Sequence, residues 1–271
     1  MNQVVVIVGM GNMGRAMLKG LNSSEDFKGY NIFLYEARNH SLEDYLTESR
    51  ISILKDPDDF SSKPFTIVLC INPHDLIAFA NSINSLIHKD SLIISILAGT
   101  SLATIAEQTK HKGAIVRAMP NIGATIGQAA TVLCANKVCS AGLKDQAFNL
   151  FESVGDAFWA KEEQLDTVTG LSGSGPAYIY MVIEALTDGG VKMGLARDLA
   201  RALATQTVLG AASLVKSTGL HPAILKDQVT TPAGTTISAL HELEERGLRS
   251  MFVSAVEIAT ERSKILGSTK S

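Results

Sequence analysis

Val4-Val5-Val6-Ile7-Val8-Gly9-Met10-Gly11-Asn12-Met13-Gly14 is the stretch that decides the fold. Five consecutive β-branched residues read as a strand buried on both faces, the pattern of a parallel sheet. A complete G-x-G-x-x-G follows, and then a helical segment over residues 12–21. Strand, glycine turn and helix in this order are the context in which the motif cradles a dinucleotide. Gly9 permits the tight turn, Gly11 lets a pyrophosphate approach the backbone, and Gly14 lets the helix pack closely on the strand. Gly9, Gly11, Asn12, Met13 and Gly14 therefore open the expected cofactor-binding set.

A second strand, Asn31–Tyr35, ends in Glu36, 22 residues after Gly14. That is where an acid hydrogen-bonds the ribose 2′-OH of NAD. Arg38 follows closely and has the chemistry to pair with the 2′-phosphate of NADP instead. The two signals conflict, and both residues join the set. Further strands read at 51–54, 65–71 and 91–97, with helical stretches at 75–86 and 101–108 between them. This alternation predicts an α/β, doubly wound, Rossmann-type sheet. The carboxyl ends of its strands face the ligand crevice. Asn72-Pro73 and Ala98-Gly99 occupy such ends, as does Met119-Pro120-Asn121 after an extended run at 114–118. Another extended run covers 129–134, a helix 141–153, and a last strand 155–160 with the only Trp, Trp159. The polar stretch at 161–164 marks the expected boundary between a dinucleotide-binding domain, 1–162, and a helical domain, 163–271.

Beyond Leu165 the pattern is helical almost throughout. Residues 170–178 punctuate it with Gly, Ser and Pro; Ser174 or Gly175 can cap the next helix, and Pro176 fits its first turn. That helix, 176–193 before Gly194, is apolar on nearly all sides from Ala177 to Ala185, apart from Glu184 and the Tyr hydroxyls. A helix apolar all round must be covered all round, which a domain of about 110 residues struggles to do alone. A subunit interface, an interwoven homodimer, is expected. Helices follow over 197–216, 222–228, 235–246 and 248–266. Between the third and fourth of the second half lies Thr230-Thr231-Pro232-Ala233-Gly234-Thr235-Thr236, which has two Thr pairs and no charge. It presents hydroxyls and N–H groups at a helix N-terminus, where it is either an ordinary capped turn or an anion site.

Composition narrows the function class. Of the 271 residues 19% are charged, with a net charge of −3. There is no basic run, so nucleic acid is not an expected partner. Cys70, Cys134 and Cys139 have no metal-ligand spacing and read as buried small hydrophobes, which suits a reducing cytoplasm. The apolar start is short and lacks a basic region and a cleavage site. No window reaches the ~18 apolar residues of a membrane helix. A soluble, cytoplasmic protein is expected, with no membrane partner. His40, His88 and His111 sit in polar surroundings, His221 and His241 flank the threonine loop, and His74 follows Pro73 at a strand end. No pair of them has zinc spacing with an acid, and no metal is expected.

Taken together, these segments resemble the pyrroline-5-carboxylate reductase family over essentially the whole chain. The resemblance rests on the glycine fingerprint, on Ser95-Ile96-Leu97-Ala98-Gly99, Arg117-Ala118-Met119-Pro120-Asn121, residues 171–178, 221–229, and above all 229–240. It implies reduction of the cyclic imine (S)-1-pyrroline-5-carboxylate to L-proline by NADPH, with NADH possible, at the last step of proline biosynthesis. It also implies a C-terminal dimerisation domain and assembly of dimers, in many members a decamer of five. Substrate-binding residues carried over are Thr231, Ala233, Gly234, Thr235 and Thr236, with backbone N–H groups of 234–236 receiving the carboxylate. Thr236 is carried over as the catalytic residue beside the imine nitrogen. The chemistry suits a loop without charge: a protonated iminium is already electrophilic, so orientation and one hydroxyl near nitrogen suffice. Two departures stand out. Asn72 replaces a Lys common before Pro73, and Ala233 replaces the first of two glycines after Pro232.

Two rivals are weighed. The β-hydroxyacid dehydrogenases share the plan but need a base, commonly a Lys on the first long helix of the second domain. Between Gly170 and Val191 there is no Lys or His, and Lys192 comes only at the helix end. A nucleotide-binding scaffold without turnover is the other rival, against which the near-intact threonine loop argues.

Overall fold

A computed structural model describes residues 3–36, 42–46, 48–54, 64–83 and 87–268. The chain divides into two compact units, 1–174 with 258–271, and 175–257. The first is built on an eight-stranded sheet of order β3-β2-β1-β4-β5-β6-β7-β8. The strands are β1 Val4–Val8, β2 Asn31–Tyr35, β3 Ile51–Ile53, β4 Thr66–Leu69, β5 Leu92–Ser95, β6 Ala114–Met119, β7 Ala129–Ala135 and β8 Gly155–Trp159. The first six run parallel, joined in part by α1 Asn12–Ser23, α2 Leu76–Ile83 and α3 Leu102–Thr109. Residues 84–86 of the helix expected over 75–86 lie outside the described residues.

β7 pairs antiparallel with β6, which the doubly wound reading did not foresee. The cause is the connection: only residues 120–128 separate the two strands, and a parallel return needs a crossover of a dozen or more. α4, Ala141–Glu152, then provides such a crossover, and β8 lies parallel to β7. Side chains alternate between two cores. Val5, Ile7, Met17, Leu21, Leu34, Val116 and Phe151 pack on the face covered by α1 and α4. Val6, Val8, Ile67, Leu76, Ile93 and Ile105 pack on the face covered by α2 and α3. Each fully buried large side chain contributes roughly 1.5–3 kcal/mol.

The compact units do not follow the polar stretch at 161–164; residues 163–174 stay with the sheet. Glu162 accepts a hydrogen bond from the Leu102 N–H (2.7 Å) at the start of α3 and lies 3.5 Å from the buried Arg117 guanidinium. Asp166, in the short α5 Leu165–Val168, accepts from the Ser263 hydroxyl at 2.6 Å, which ties residues 258–271 to the same unit. The Gly- and Ser-rich punctuation is helical too. Thr169–Gly173 forms a π turn, with the Ser174 N–H donating to the Thr169 carbonyl at 2.8 Å. A wide i→i+5 turn crowds fewer side chains where glycines supply none.

Within the sheet unit His111 is buried, its Nε2 3.0 Å from the Ser91 carbonyl. Desolvation lowers its pKa, partly opposed by hydrogen bonds at Ser91 and Ala114. A depressed histidine favours the fold fully above the unfolded pKa near 6.5, and that contribution is lost as pH falls through the lower folded value. Denaturant midpoints between pH 7.5 and 5 are expected to decline less steeply in His111→Gln than in the parent.

The second unit holds α6 Gly175–Lys192, α7 Arg197–Thr218, α8 Pro222–Gln228, α9 Thr235–Glu245 and the first part of α10, Leu248–Ser268. Gly194, Gly219 and Gly247, all at positive φ, stop α6, α7 and α9. α6 and α7 meet through small residues: a Cβ on Gly190 would lie 3.1 Å from the Ala200 Cβ, and Thr187, Ala200 and Ala204 are buried. No large apolar side chain of 175–257 is buried. Tyr180, Met181, Leu199, Leu203, Leu209 and Val253 are instead half or more exposed. Apolar surface of that extent calls for a partner. Among the described residues no single helix is long and apolar enough to cross a membrane.

Candidate functional site

The glycine turn lies where β1 meets α1. Gly9 takes φ +88°, and its N–H donates to the Tyr35 carbonyl at 2.8 Å. A Cβ on Gly14 would lie 2.0 Å from the Gly9 carbonyl oxygen, so helix and strand touch backbone to backbone. Gly11 is different: a Cβ there meets nothing within 4 Å, leaving its backbone open to an approaching ligand. Gly11 is also the N-cap of α1 and supplies no capping side chain, so first-turn N–H groups remain for an anion. The loop thus offers what a dinucleotide pyrophosphate requires.

Beside the loop is a cavity of about 500 Å³ lined by Gly9, Gly11, Glu36, Asn72, Asp75 and Phe79, among others. The Glu36 carboxylate accepts from the Met10 N–H at 2.9 Å, which fixes it at the mouth of the crevice. Asn72 caps a 3₁₀ turn begun by Pro73, and its amide lies 3.4 Å from Asp75. Pro73 itself does not line the cavity. Burial pushes the Cys70 thiol, also in the lining, up to about 12, so it is neutral at physiological pH. Tyr35 and Phe79, with ring centroids 5.8 Å apart, form a wall that the sequence reading missed. Aromatics at a strand end and on a helix face give no signal that separates a lining residue from a core one. Arg38 and His40 lie outside the described residues.

The other expected cofactor neighbours stand at the same carboxyl edge of the sheet, after β5 and β6, outside this cavity. Ala98 is exposed, and Gly99, at φ +66°, packs on Gly267 near the end of α10. Pro120 is buried. Asn121 is committed at both ends: its amide donates to the Ser172 carbonyl at 3.0 Å, and its Oδ1 accepts from the Gly123 N–H at 3.0 Å. The Met119 methyl lies against Gly173, where a Cβ would approach it to 2.8 Å. Asn121 and Met119 therefore hold the π turn against the end of β6.

The threonine loop is built within the second unit. Thr231-Pro232-Ala233-Gly234 forms a turn closed by the Gly234 N–H on the Thr231 carbonyl at 3.1 Å. Pro232 pre-sets the second position, and Ala233 occupies the third at φ +56°, where glycine or asparagine is usual. Left-handed backbone costs an alanine roughly 1–2 kcal/mol, against roughly 0.5–1 kcal/mol of extra chain entropy lost by glycine. Ala233→Gly is expected to raise the thermal midpoint slightly, equivalent to about 0.5–1 kcal/mol, measured at one fixed protein concentration.

Gly234 is the N-cap of α9, and a Cβ on it would strike the Thr231 hydroxyl at 2.3 Å. Its N–H, expected to receive a carboxylate, is used inside the turn. The Thr235, Thr236 and Ile237 N–H groups have no partner among the described residues. Thr230 spends its hydroxyl on the Lys226 carbonyl at 2.7 Å. The half-buried Thr236 makes no side-chain hydrogen bond among the described residues, so its hydroxyl is available. Thr231, Ala233 and Thr235 are exposed. The His221 ring is occupied as a cap, accepting from the Ala223 N–H at 3.2 Å.

Comparison with known proteins bears on both units. Residues 162–266 match the family model for pyrroline-5-carboxylate reductase dimerisation, and residues 3–99 match that for NADP oxidoreductase, coenzyme F420-dependent. The chain is 40% identical over 98% of its length to the pyrroline-5-carboxylate reductase of Methanosarcina acetivorans, covering 98% of that protein. Among solved structures, the pyrroline-5-carboxylate reductase of Coxiella burnetii superposes with a TM-score of 0.91 at 30% identity, over 98% of this chain and 99% of that one. The Plasmodium falciparum pyrroline carboxylate reductase with NADP bound gives 0.83 at 30% identity, over 98% of both chains.

Proposed function

Because this chain belongs to the pyrroline-5-carboxylate reductase family, we propose that it reduces 1-pyrroline-5-carboxylate to L-proline, the closing step of proline biosynthesis. NADPH, or NADH, supplies the hydride when bound. Residues at the glycine turn would hold it: the open backbone at Gly11 and the first turn of α1 face its pyrophosphate. The observation that carries the reading is the threonine loop, which keeps a hydroxyl and first-turn N–H groups unspent.

Thr235 and Thr236 donate backbone N–H to the substrate carboxylate, aided by the positive end of α9. Thr231, Pro232 and Ala233 shape the turn, and Gly234 keeps it tight. The Thr236 hydroxyl lies beside the ring nitrogen, where it orients the ring and hydrogen-bonds the nitrogen as the C=N bond is lost. No strong base is required: the protonated iminium nitrogen keeps its one proton as the amine N–H when hydride adds, and the product amine takes a further proton from water.

The apolar faces of α6 and α7 support a homodimer through the helical unit, and a decamer of five such dimers is the larger assembly proposed. The family-model boundary at 162 supports a functional division into 1–162, which carries the nucleotide, and 163–271, which carries the dimer faces and the substrate loop. The site of action proposed is the cytoplasm. Loss of nucleotide absorbance tests the reading: it is expected with pyrroline-5-carboxylate. Reduction of NADP⁺ by a β-hydroxyacid, with no loss of absorbance on the imine, would overturn it.

A further inference from the structure

We propose that Glu162 is a positioning residue for hydride transfer. Its carboxylate fixes the turn after β5 and the end of β6 against one another, and so sets the edge of the crevice that receives the nicotinamide. The inference rests on the dinucleotide-binding reading and on the reaction proposed above. A doubly wound sheet takes one mononucleotide on each of its halves. The glycine turn belongs to the β1–β3 half, which leaves the β4–β6 half for the nicotinamide. There β5 leads into Ala98-Gly99, and β6 leads into Pro120-Asn121.

One oxygen joins these two ends. Glu162 Oε1 accepts from the Leu102 N–H at 2.7 Å, across 60 residues of chain, and lies 3.5 Å from Arg117 Nη1. Leu102 opens α3, directly after the turn at 97–101. Arg117 lies in β6 just before its end, with a side chain only 7% exposed. A buried guanidinium requires a counter-charge. Among the described residues Glu162 is its ion-pair partner. Cys134, opposite Arg117 in register, adds no charge, because burial above all pushes its thiol up to about 12. α3 does not depend on Glu162 for its cap: the Ser101 hydroxyl already accepts from the Thr104 N–H at 3.1 Å. What Glu162 adds is the tie between the two ends. The turn it holds is closed by the Thr100 N–H on the Leu97 carbonyl at 3.3 Å, and Gly99 in it packs on the Gly267 backbone. In a turn so confined, a shift at Leu102 is passed to Ala98 and Gly99.

The test uses Glu162→Ala and Glu162→Gln in the full-length protein. Turnover is measured with NADPH and pyrroline-5-carboxylate. Binding is measured by calorimetry without imine, with NADPH and with 2′-phospho-ADP-ribose, the same nucleotide lacking the nicotinamide. Glu162→Ala is expected to lower kcat roughly tenfold, the scale of a small misplacement of the reacting ring. It is expected to weaken NADPH roughly tenfold while the fragment and the KM for the imine stay within about twofold. Glu162→Gln keeps an acceptor for the Leu102 N–H and removes the charge that faces Arg117, so the same split is expected at roughly threefold. Should the alanine variant not fold, the glutamine variant decides alone. NADPH and fragment weakened alike would overturn the inference. So would a lower melting temperature with kcat and the NADPH-to-fragment ratio unchanged, the mark of a purely structural tie. A parent that binds NADPH but leaves the imine unreduced would remove the proposed reaction, and the NADPH-to-fragment ratio would still decide whether Glu162 sets the nicotinamide edge.

Discussion

Thr236→Ala is expected to lower kcat roughly 10- to 100-fold, the scale of one catalytic hydrogen bond lost. The substitution separates chemistry from binding unusually well. Alanine keeps the backbone N–H proposed to face the substrate carboxylate, so KM is expected to move much less than kcat. It also keeps the fold, because the Thr236 side chain caps nothing and lies in the first turn of α9, where alanine is well tolerated. Thr236→Ser, which retains the hydroxyl, is expected to recover most of the turnover. Steady-state kinetics of the three proteins check this. Equal kcat in parent and alanine variant would remove Thr236 from the mechanism.

Gly14→Ala is expected to weaken binding of both nucleotides about 10- to 100-fold and to lower thermal stability as well. The added Cβ would lie 2.0 Å from the Gly9 carbonyl, a contact that backbone movement alone can relieve. Overpacking of this kind costs about 1–3 kcal/mol, and here the moving parts are the turn and helix start proposed to hold the nucleotide. Gly11→Ala is the matched control. Its Cβ meets no protein atom within 4 Å, so stability is expected to hold while nucleotide binding falls. Titration and melting of both variants separate the two roles. Equal stability losses in the two would contradict them.

Where the period of the sequence is strong, the architecture can be read from it. A run of five β-branched residues, a glycine turn and a helix admit one arrangement, and β1 and α1 take it. Strand direction is less legible, since a run such as 129–134 looks the same either way. The shortness of the 120–128 connection is what reverses β7. Residues 170–178 read as punctuation of the helical pattern because Gly, Ser and Pro are turn formers, yet Thr169–Gly173 forms a π turn against Asn121 and Met119. In the threonine loop, the departure at Ala233 marks the residue that takes left-handed backbone. What could not be read is how the loop distributes its donors: Gly234 spends its N–H on the turn and Thr230 its hydroxyl on Lys226, leaving Thr236 available. The crevice wall of Tyr35 and Phe79 was equally hidden, because each fits an apolar pattern that a buried core satisfies as well.

The central claim is that a hydride passes from the nicotinamide to the imine carbon of a small cyclic carboxylate. Turnover of 1-pyrroline-5-carboxylate with nucleotide deuterated at the transferring C4 position tests it most directly, with mass spectrometry of the product. L-Proline carrying a single deuterium at ring carbon 5 is the result predicted. Unlabelled proline, or no proline from a folded protein that binds nucleotide, would contradict it.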